Sequence, residues 1–411
     1  MTICDNEARI LGVITDLLGS ANVSDSRTVL SALGKLDSLL LEEVCDCICF
    51  GPSTNGGTGV FAVKDIPGAT SIMIDKPSVS VLDVDVAKSS YGNMHGSDSI
   101  ALVNEIAVRF NESIAQCLRS LYPIRGSSSP SPIDESFPHD VFERLRQALP
   151  SDIHPNDVVR AVQLNSLGFY TFPELCTYNE HLRFLTGTGL YPRGSMFNHS
   201  CEPSVNHYSV GDVTIFRTLR DVREGEELFI SYIGSDLLCE STSVRREFLD
   251  SRDFTCSCTK CSRPDDEEDL WVEELELADR ISIRLLPSPQ SRVALIRRLL
   301  NEREFIHKDV ISLKFQLCRE LGSDGIADWM NLVDSVKSSA DFSAVVILVH
   351  CMVWNGFDKS ITDRIRHIAV KYLGPTMGSL GWIGNLFRVT DFASEVDRGR
   401  FDKVWSDALA S

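Results

Sequence analysis

Hydrophobic positions along this chain change period several times, and each change predicts a change of structure. Ile10, Val13, Ile14, Leu17 and Leu18 fall at helical spacing before Gly19, and Ser24 is placed to cap a second run through Val29, Leu30, Leu33, Leu36 and Leu40. Residues 1–50 therefore read as an N-terminal helical segment whose task is packing. From Gly51 the texture differs: Val60-Phe61-Ala62-Val63, Ser71-Ile72-Met73-Ile74 and Val79-Ser80-Val81-Leu82 are short β-prone runs separated by Gly, Pro and Asp.

Helical periodicity returns over residues 100–122 and 139–170, and the tract Gly126-Ser127-Ser128-Ser129-Pro130-Ser131-Pro132 between them predicts an exposed loop. Strand signals resume at Val213-Thr214-Ile215-Phe216 and at Glu227-Leu228-Phe229-Ile230-Ser231-Tyr232. Beyond Pro264 nearly everything reads as helix, through Val293/Ile296/Leu300, Val310/Leu313/Leu317, Trp329/Val333/Val336, Val345/Val349/Met352 and Ile361/Ile365/Ile368/Tyr372. That succession predicts antiparallel pairs without a clear repeat signature. The fold class is α+β, with an all-α C-terminal domain over residues 264–411.

At 411 residues the chain is long enough for two or three domains, and its 43% hydrophobic content lies in the globular range. No stretch approaches the roughly 18 consecutive apolar residues of a membrane helix, and Met1-Thr2-Ile3-Cys4-Asp5 lacks the basic start of a signal peptide. The expectation is an intracellular protein, in cytoplasm or nucleus, without a membrane partner. Forty basic against 58 acidic side chains give a net charge of −18, which argues against broad phosphate-backbone contact and so against direct DNA binding. Half of that charge lies in residues 265–279, nine acidic side chains with no basic one, which read as the solvated, dipole-complementing start of a helix. Thirteen cysteines without a secretion signal suit free thiols and metal ligands better than a disulfide framework.

Candidate chemistry is concentrated between Gly187 and Cys261. In Cys256-Ser257-Cys258-Thr259-Lys260-Cys261 three thiols fall within six residues, close enough to converge on one tetrahedral metal, with zinc the expected ion. A closed site needs a fourth ligand from elsewhere. Cys201, in the irregular polar segment Asn198-His199-Ser200-Cys201-Glu202-Pro203, is one candidate. Cys45-Asp46-Cys47-Ile48-Cys49 is another, and that triple could itself hold a metal with partners elsewhere. A Cys/His hydrolase reading of Asn198 to Cys201 lacks the third, orienting group that activation requires. Gly56-Gly57-Thr58-Gly59 is followed by a β-prone run rather than a helix, so it lacks the context of a dinucleotide or P-loop motif.

Taken together and in order, these segments resemble the SET-domain protein-lysine methyltransferases, most closely the SET-and-MYND branch. The matching residues are Gly57-Thr58-Gly59-Val60-Phe61-Ala62, Asn165-Ser166, Gly189-Leu190-Tyr191-Pro192, Asn198 to Pro203, Gly225-Glu226-Glu227-Leu228-Phe229-Ile230-Ser231-Tyr232, Arg245-Arg246 and Phe254-Thr255-Cys256 to Cys261. They cover Gly56 to Cys261, half the chain. The resemblance implies a β-rich SET domain over residues 51–250 with a helical insertion at about 84–170 and knot-like threading of the Tyr232 segment near Asn198. A zinc-binding post-SET segment follows at residues 251–263.

The resemblance also implies an S-adenosylmethionine-dependent protein-lysine N-methyltransferase acting on histone or non-histone proteins. Gly57, Thr58 and Gly59 would approach the cofactor's methionine end, Asn165, Asn198 and His199 would hold its polar groups and adenine, and Phe254 would stack on the adenine. Zinc would be shared by Cys201, Cys256, Cys258 and Cys261, while Tyr232, with Tyr191 as a second aromatic, would stand at the reacting nitrogen. Three departures accompany it. The stretch from Val84 to Pro123 contains only Cys117, so no MYND finger interrupts the domain; Ser204 stands where Asn is usual; and Arg252 stands where related enzymes often have a channel Tyr. The alternative is a catalytically weak or inactive SET module serving as an interaction scaffold, and the presence of Asn198, His199 and Tyr232 favours the enzyme.

Overall fold

The computed structural model describes residues 43–124, 137–169, 186–262, 326–336, 343–389 and 395–411, less a few positions inside those ranges, and part of 288–294. The predicted helices of residues 1–40, the Ser/Pro tract, the acidic run and the helix through Val310/Leu313/Leu317 lie outside the described residues. Two compact units divide the chain, the first comprising Met1–Asn198, His207–Phe229 and Val389–Asp391, the second His199–Asn206, Ile230–Arg388 and Phe392–Ser411.

In the first unit, strands β1 (Glu43–Val44) and β2 (Ile48–Pro52) correct the helical expectation for the end of segment 1–50. Their backbone groups are taken by later strands: β1 pairs with β4 (Ser71–Asp75), and β2 forms a hairpin with β3 (Thr58–Ala62), paired residue for residue across a short turn. Three sheets result. One has the order β1-β4-β10-β9, with β9 at Val205–Val210 and β10 at Val213–Thr218. Another has the order β2-β3-β11-β8, with β8 at Asn198–His199 and β11 at Glu227–Ile230. In the third, β7 (Gly187–Leu190) lies between β5 (Val79–Leu82) and β6 (Ser166–Phe169), antiparallel to both.

Between β5 and β6 every described element is helical: α1 (Asp83–Lys88), α2 (Ser97–Arg109), α3 (Glu112–Ser120), α4 (His139–Ala148) and α5 (Pro155–Asn165). Ile100, Val103 and Ile106 of α2 recur at helical spacing and are buried, whereas Glu105 and Arg109 pair on the outer side. Asn111 caps α3 by accepting the Ile114 N–H at 3.0 Å, and Pro155 opens α5, where its missing N–H removes no intrahelical bond. Cys117 lies in this helical core, where burial pushes its thiol up to about 11.

The second unit contains α6 (Ser235–Leu238), α7 (Thr242–Asp250) and the C-terminal helices α8 (Ile326–Val336), α9 (Ser343–Asn355), α10 (Lys359–Met377), α11 (Leu380–Val389) and α12 (Glu395–Ala410). Three of the predicted C-terminal runs fall on α8, α9 and α10. Helix α9 is apolar on nearly every side, with Val345, Leu348, Val349, Cys351 and Met352 fully buried, and α8, α10 and α12 pack around it. Trp405 of α12 donates its indole N–H to the Leu380 carbonyl at 3.0 Å, which satisfies the only polar atom of a fully buried ring. No described helix is long and apolar enough to cross a membrane.

Candidate functional site

Asn198 is delivered by a segment that the fold pins from below. Asp75, at the end of β4 and fully buried, accepts the backbone N–H groups of Arg193 at 3.0 Å and Gly194 at 2.7 Å. A buried carboxylate needs such donors, and here they fix the turn that precedes Phe197. Phe197 then stacks on Phe216 of β10 with ring centroids 4.8 Å apart.

The Asn198 side chain belongs to a polar network inside the first unit. Its amide nitrogen donates to Glu227 Oε1 at 2.7 Å and to the Thr58 carbonyl at 3.3 Å, while Ser53 Oγ donates to Glu227 Oε2 at 3.0 Å. Glu227 is the residue that sequence reasoning left without a role, although it stands inside a quoted motif. It also explains Gly59, since a Cβ there would lie 2.4 Å from Glu227 Oε1. Gly56 and Gly57 have φ of 99° and 65° in the turn before β3, a region open to glycine, and an added Cβ at either would meet nothing within 4 Å. The backbone of that turn is therefore open to close approach by a ligand.

Two predicted residues are placed differently. Asn165 ends α5, and its amide nitrogen donates to the carbonyls of Tyr122 at 2.7 Å and Ala161 at 2.8 Å, so both of its N–H groups serve the end of the helix. Tyr191 is fully buried and its phenol donates to the Asp212 carbonyl, an arrangement that raises its pKa well above the ordinary tyrosine value through burial. The Tyr191 hydroxyl, expected as part of a second aromatic at the site, is thus bonded to a backbone loop.

In the second unit, the sulfurs of Cys201, Cys256, Cys258 and Cys261 all lie within 4.8 Å of one another, and that of Cys201 is 3.5 Å from that of Cys261. Four thiolates about 2.3 Å from a central zinc would stand roughly 3.8 Å apart, so the donor set fits this ion in both chemistry and spacing. Hydrogen bonds from Cys201 and Cys256 pull the Cys261 thiol down to about 6, and those from its neighbours, Cys201 first, hold Cys258 far below the ordinary thiol value. Cys201 is held up by its bonds with Cys256 and the other sulfurs. The competing ligands are removed: Cys45 and Cys47 are joined in a disulfide, against the expectation of free thiols, and Cys49 is exposed.

Basic side chains brace the cluster. Buried Arg245 of α7 donates to Thr242 Oγ1 at 2.8 Å and to the Cys261 sulfur at 3.7 Å, while Arg246 donates to the Cys261 carbonyl at 2.7 Å. Cationic donors next to a thiolate set offset its negative charge and orient its ligands.

An aromatic group packs on the same cysteines. The Ser200 N–H donates to the Ile230 carbonyl at 3.0 Å, and close by the Tyr232 N–H donates to His199 Nδ1 at 2.9 Å. Because Nδ1 accepts, the proton of the neutral ring sits on Nε2, which is 3.3 Å from the Cys201 sulfur. Burial pulls His199 down to about 4 and keeps it neutral. Its ring lies 5.3 Å from that of Tyr232 and 5.9 Å from that of Phe254, and Tyr232 and Phe254 meet edge-on at 6.0 Å. The guanidinium carbon of Arg252 stands 5.2 Å from the Tyr232 ring centroid.

A family model described as the SET domain matches residues 57–233. Histone-lysine N-methyltransferase SMYD3 of Mus musculus is 28% identical over 194 residues, covering 44% of this chain and 43% of that protein. N-lysine methyltransferase SMYD2 of Mus musculus is 30% identical over 142 residues, covering 34% of this chain and 28% of that protein. The putative SET domain-containing protein L678 of Acanthamoeba polyphaga mimivirus is 25% identical over 234 residues, covering 54% of this chain and 78% of that protein. The matched region is thus less than half the length of either SMYD relative.

Proposed function

We propose that this SET domain is the catalytic domain of an S-adenosylmethionine-dependent protein-lysine N-methyltransferase of the SET-and-MYND type, acting on lysine side chains of histone or other proteins. One observation carries the reading: His199, Tyr232 and Phe254 are packed together against a four-cysteine cluster, so a metal clasp and an aromatic site form one structure. The resemblance of the surrounding motifs and the SMYD relatives support the same activity.

S-adenosylmethionine, when bound, supplies a methyl group already activated on a sulfonium, which leaves alignment and electrostatics to the protein. Gly57, Thr58 and Gly59 would serve it through backbone groups, for which the open turn at Gly56 and Gly57 leaves room. With its N–H groups held by Glu227 and Thr58, Asn198 offers its Oδ1 as acceptor. His199 spends one ring nitrogen on the Tyr232 N–H and the other on Cys201, and so acts by setting the Tyr232 backbone. Phe254 would give the adenine a stacking face, and Asn165 would contribute through the end of α5 rather than through its amide. The attacking lysine, whose reference pKa is about 10.4, has to enter as the neutral amine, and apolar walls such as Phe254 and the Tyr232 ring disfavour the ammonium. The Tyr232 phenol would then orient the nitrogen.

Purified protein incubated with radiolabelled S-adenosylmethionine, histones and cell extract tests this reading. We expect label on protein lysine, and a loss on the order of 10²-fold in Tyr232→Phe at unchanged melting temperature. Stabilisation by the cofactor without transfer to any protein would point to a scaffold instead, and the absence of both effects would overturn the cofactor assignment as well.

A further inference from the structure

Arg252 is the second residue past the end of α7, where its N–H donates to the Leu249 carbonyl at 2.9 Å and closes the last turn. That anchor holds its guanidinium over the face of Tyr232, 5.2 Å from the centroid, beside the edge-on ring of Phe254 and the neutral ring of His199. A tyrosine face walled by aromatic rings is where an ammonium head gains cation–π attraction. Here a residue of the chain already fills that seat. Guanidinium stays charged at any pH the folded protein meets, and a second cation brought to the same ring meets a like charge in surroundings that water only partly screens.

Methyl transfer makes that second cation. The sulfonium S–CH₃ bond breaks and an N–CH₃ bond forms on the neutral amine, so the positive charge passes from sulfur to nitrogen and the donor leaves as a neutral thioether. The methylammonium must give a proton to water before it can attack again. We propose that Arg252 determines how the lysine channel hands out methyl groups: by holding the cation seat on Tyr232 it admits the substrate nitrogen only as a neutral amine and expels each methylated ammonium before it loses its proton there, so that one methyl is added per binding event and monomethyl-lysine leaves as a free product. This inference rests on the methyltransferase reading of the same site.

Two measurements on the full chain keep the two ideas separable, each made on the wild type, Arg252→Lys and Arg252→Gln after confirming equal melting temperatures. In calorimetric titration with tetramethylammonium, Arg252→Gln should bind at least about tenfold more tightly than the wild type, about 1.4 kcal/mol, and Arg252→Lys should not. In intact mass analysis with substrate in large excess, the wild type and Arg252→Lys should accumulate singly methylated substrate while Arg252→Gln gives two or three added methyls from the first turnovers. Equal affinity of all three proteins for the probe, or multiply methylated substrate from the wild type under those conditions, would overturn the proposal while leaving the methyltransferase reading standing. A tenfold gain in probe affinity with no methyl transfer by any of the three would uphold the cation seat and remove the enzyme reading.

Discussion

The network around Asn198 and the cluster behind Tyr232 hold their side chains by different physics. Around Asn198, a carboxylate, an amide, a hydroxyl and a backbone carbonyl satisfy one another within strands that the sheet already fixes. Each bond contributes about 1 kcal/mol, and the loss of one leaves the strands in place. Behind Tyr232, four cysteines from two distant segments converge where α6, α7 and a segment without regular structure meet, and that segment is held by Arg245, Arg246, the Lys260 ammonium on the Leu238 carbonyl, the packing of Phe254 and the sulfurs themselves. A site of this kind takes its stability from the metal, so its order is conditional where that of the Asn198 network is not.

The comparison can be broken most forcefully at the cysteines. We expect one zinc per chain by elemental analysis, and Cys258→Ser should abolish it and lower stability by upwards of about 4 kcal/mol, because three thiolates leave a closed site open. Zinc content unchanged in that variant would show that the cluster is held by something else. A chelator should have the same effect on the wild type and none on Cys258→Ser.

The Asn198 network is better probed by coupling. Gly59→Ala forces a methyl onto the Glu227 carboxylate and should destabilise the protein by about 2 kcal/mol. In a Glu227→Ala background the closest obstacle is gone and only the Phe61 ring, 3.2 Å from the added Cβ, remains, so the same substitution should cost at least about 1 kcal/mol less. Additive effects in denaturant unfolding would mean that Gly59 is required for some other reason.

A smaller effect separates the units by pH. His207 of β9 lies against Phe216, and burial pulls it down to about 4 from an ordinary value of about 6.5. The folded state thus favours the neutral ring: this contribution is complete above about pH 6.5 and is lost as the pH falls toward 4, where the unfolded chain takes the proton first. Because part of the residue remains exposed, the loss should be about 2 kcal/mol rather than the full value of the shift. His207→Gln should flatten unfolding free energy over that range, and an unchanged slope would assign the acid loss to other groups.

Local order was legible wherever chemistry repeats at short range. The spacing of Cys256, Cys258 and Cys261 announced a metal because three ligands sit within one turn of chain, and the apolar periods of α8 to α10 announced helices because their buried faces repeat every three to four residues. The strand at Glu43–Val44 was missed because its partner, Ser71–Asp75, lies well along the chain, and that at Ile48–Pro52 because five residues broken by Gly51 and Pro52 show no alternation, although the strand it pairs with lies just across the Ser53–Gly57 turn. Asn165 and Tyr191 were named from the resemblance, which says nothing of their hydrogen-bond partners. Nothing nearby in sequence revealed that the carbonyls of Tyr122 and Asp212 would take their donors.

The amino-acid sequence by itself determined the identity of the ligating and aromatic residues, the glycine turn and the helical C-terminal region, because these depend on side-chain type and near-neighbour spacing. Only the tertiary structure decided that Cys201 and not the Cys45–Cys49 run completes the thiol set, that Asn198 donates to both Glu227 and the Thr58 carbonyl, and that Arg252 stands over Tyr232. Each of those outcomes requires two segments far apart in the chain to meet within a few ångströms, and such a meeting is fixed by the packing of the whole domain rather than by the composition of either segment.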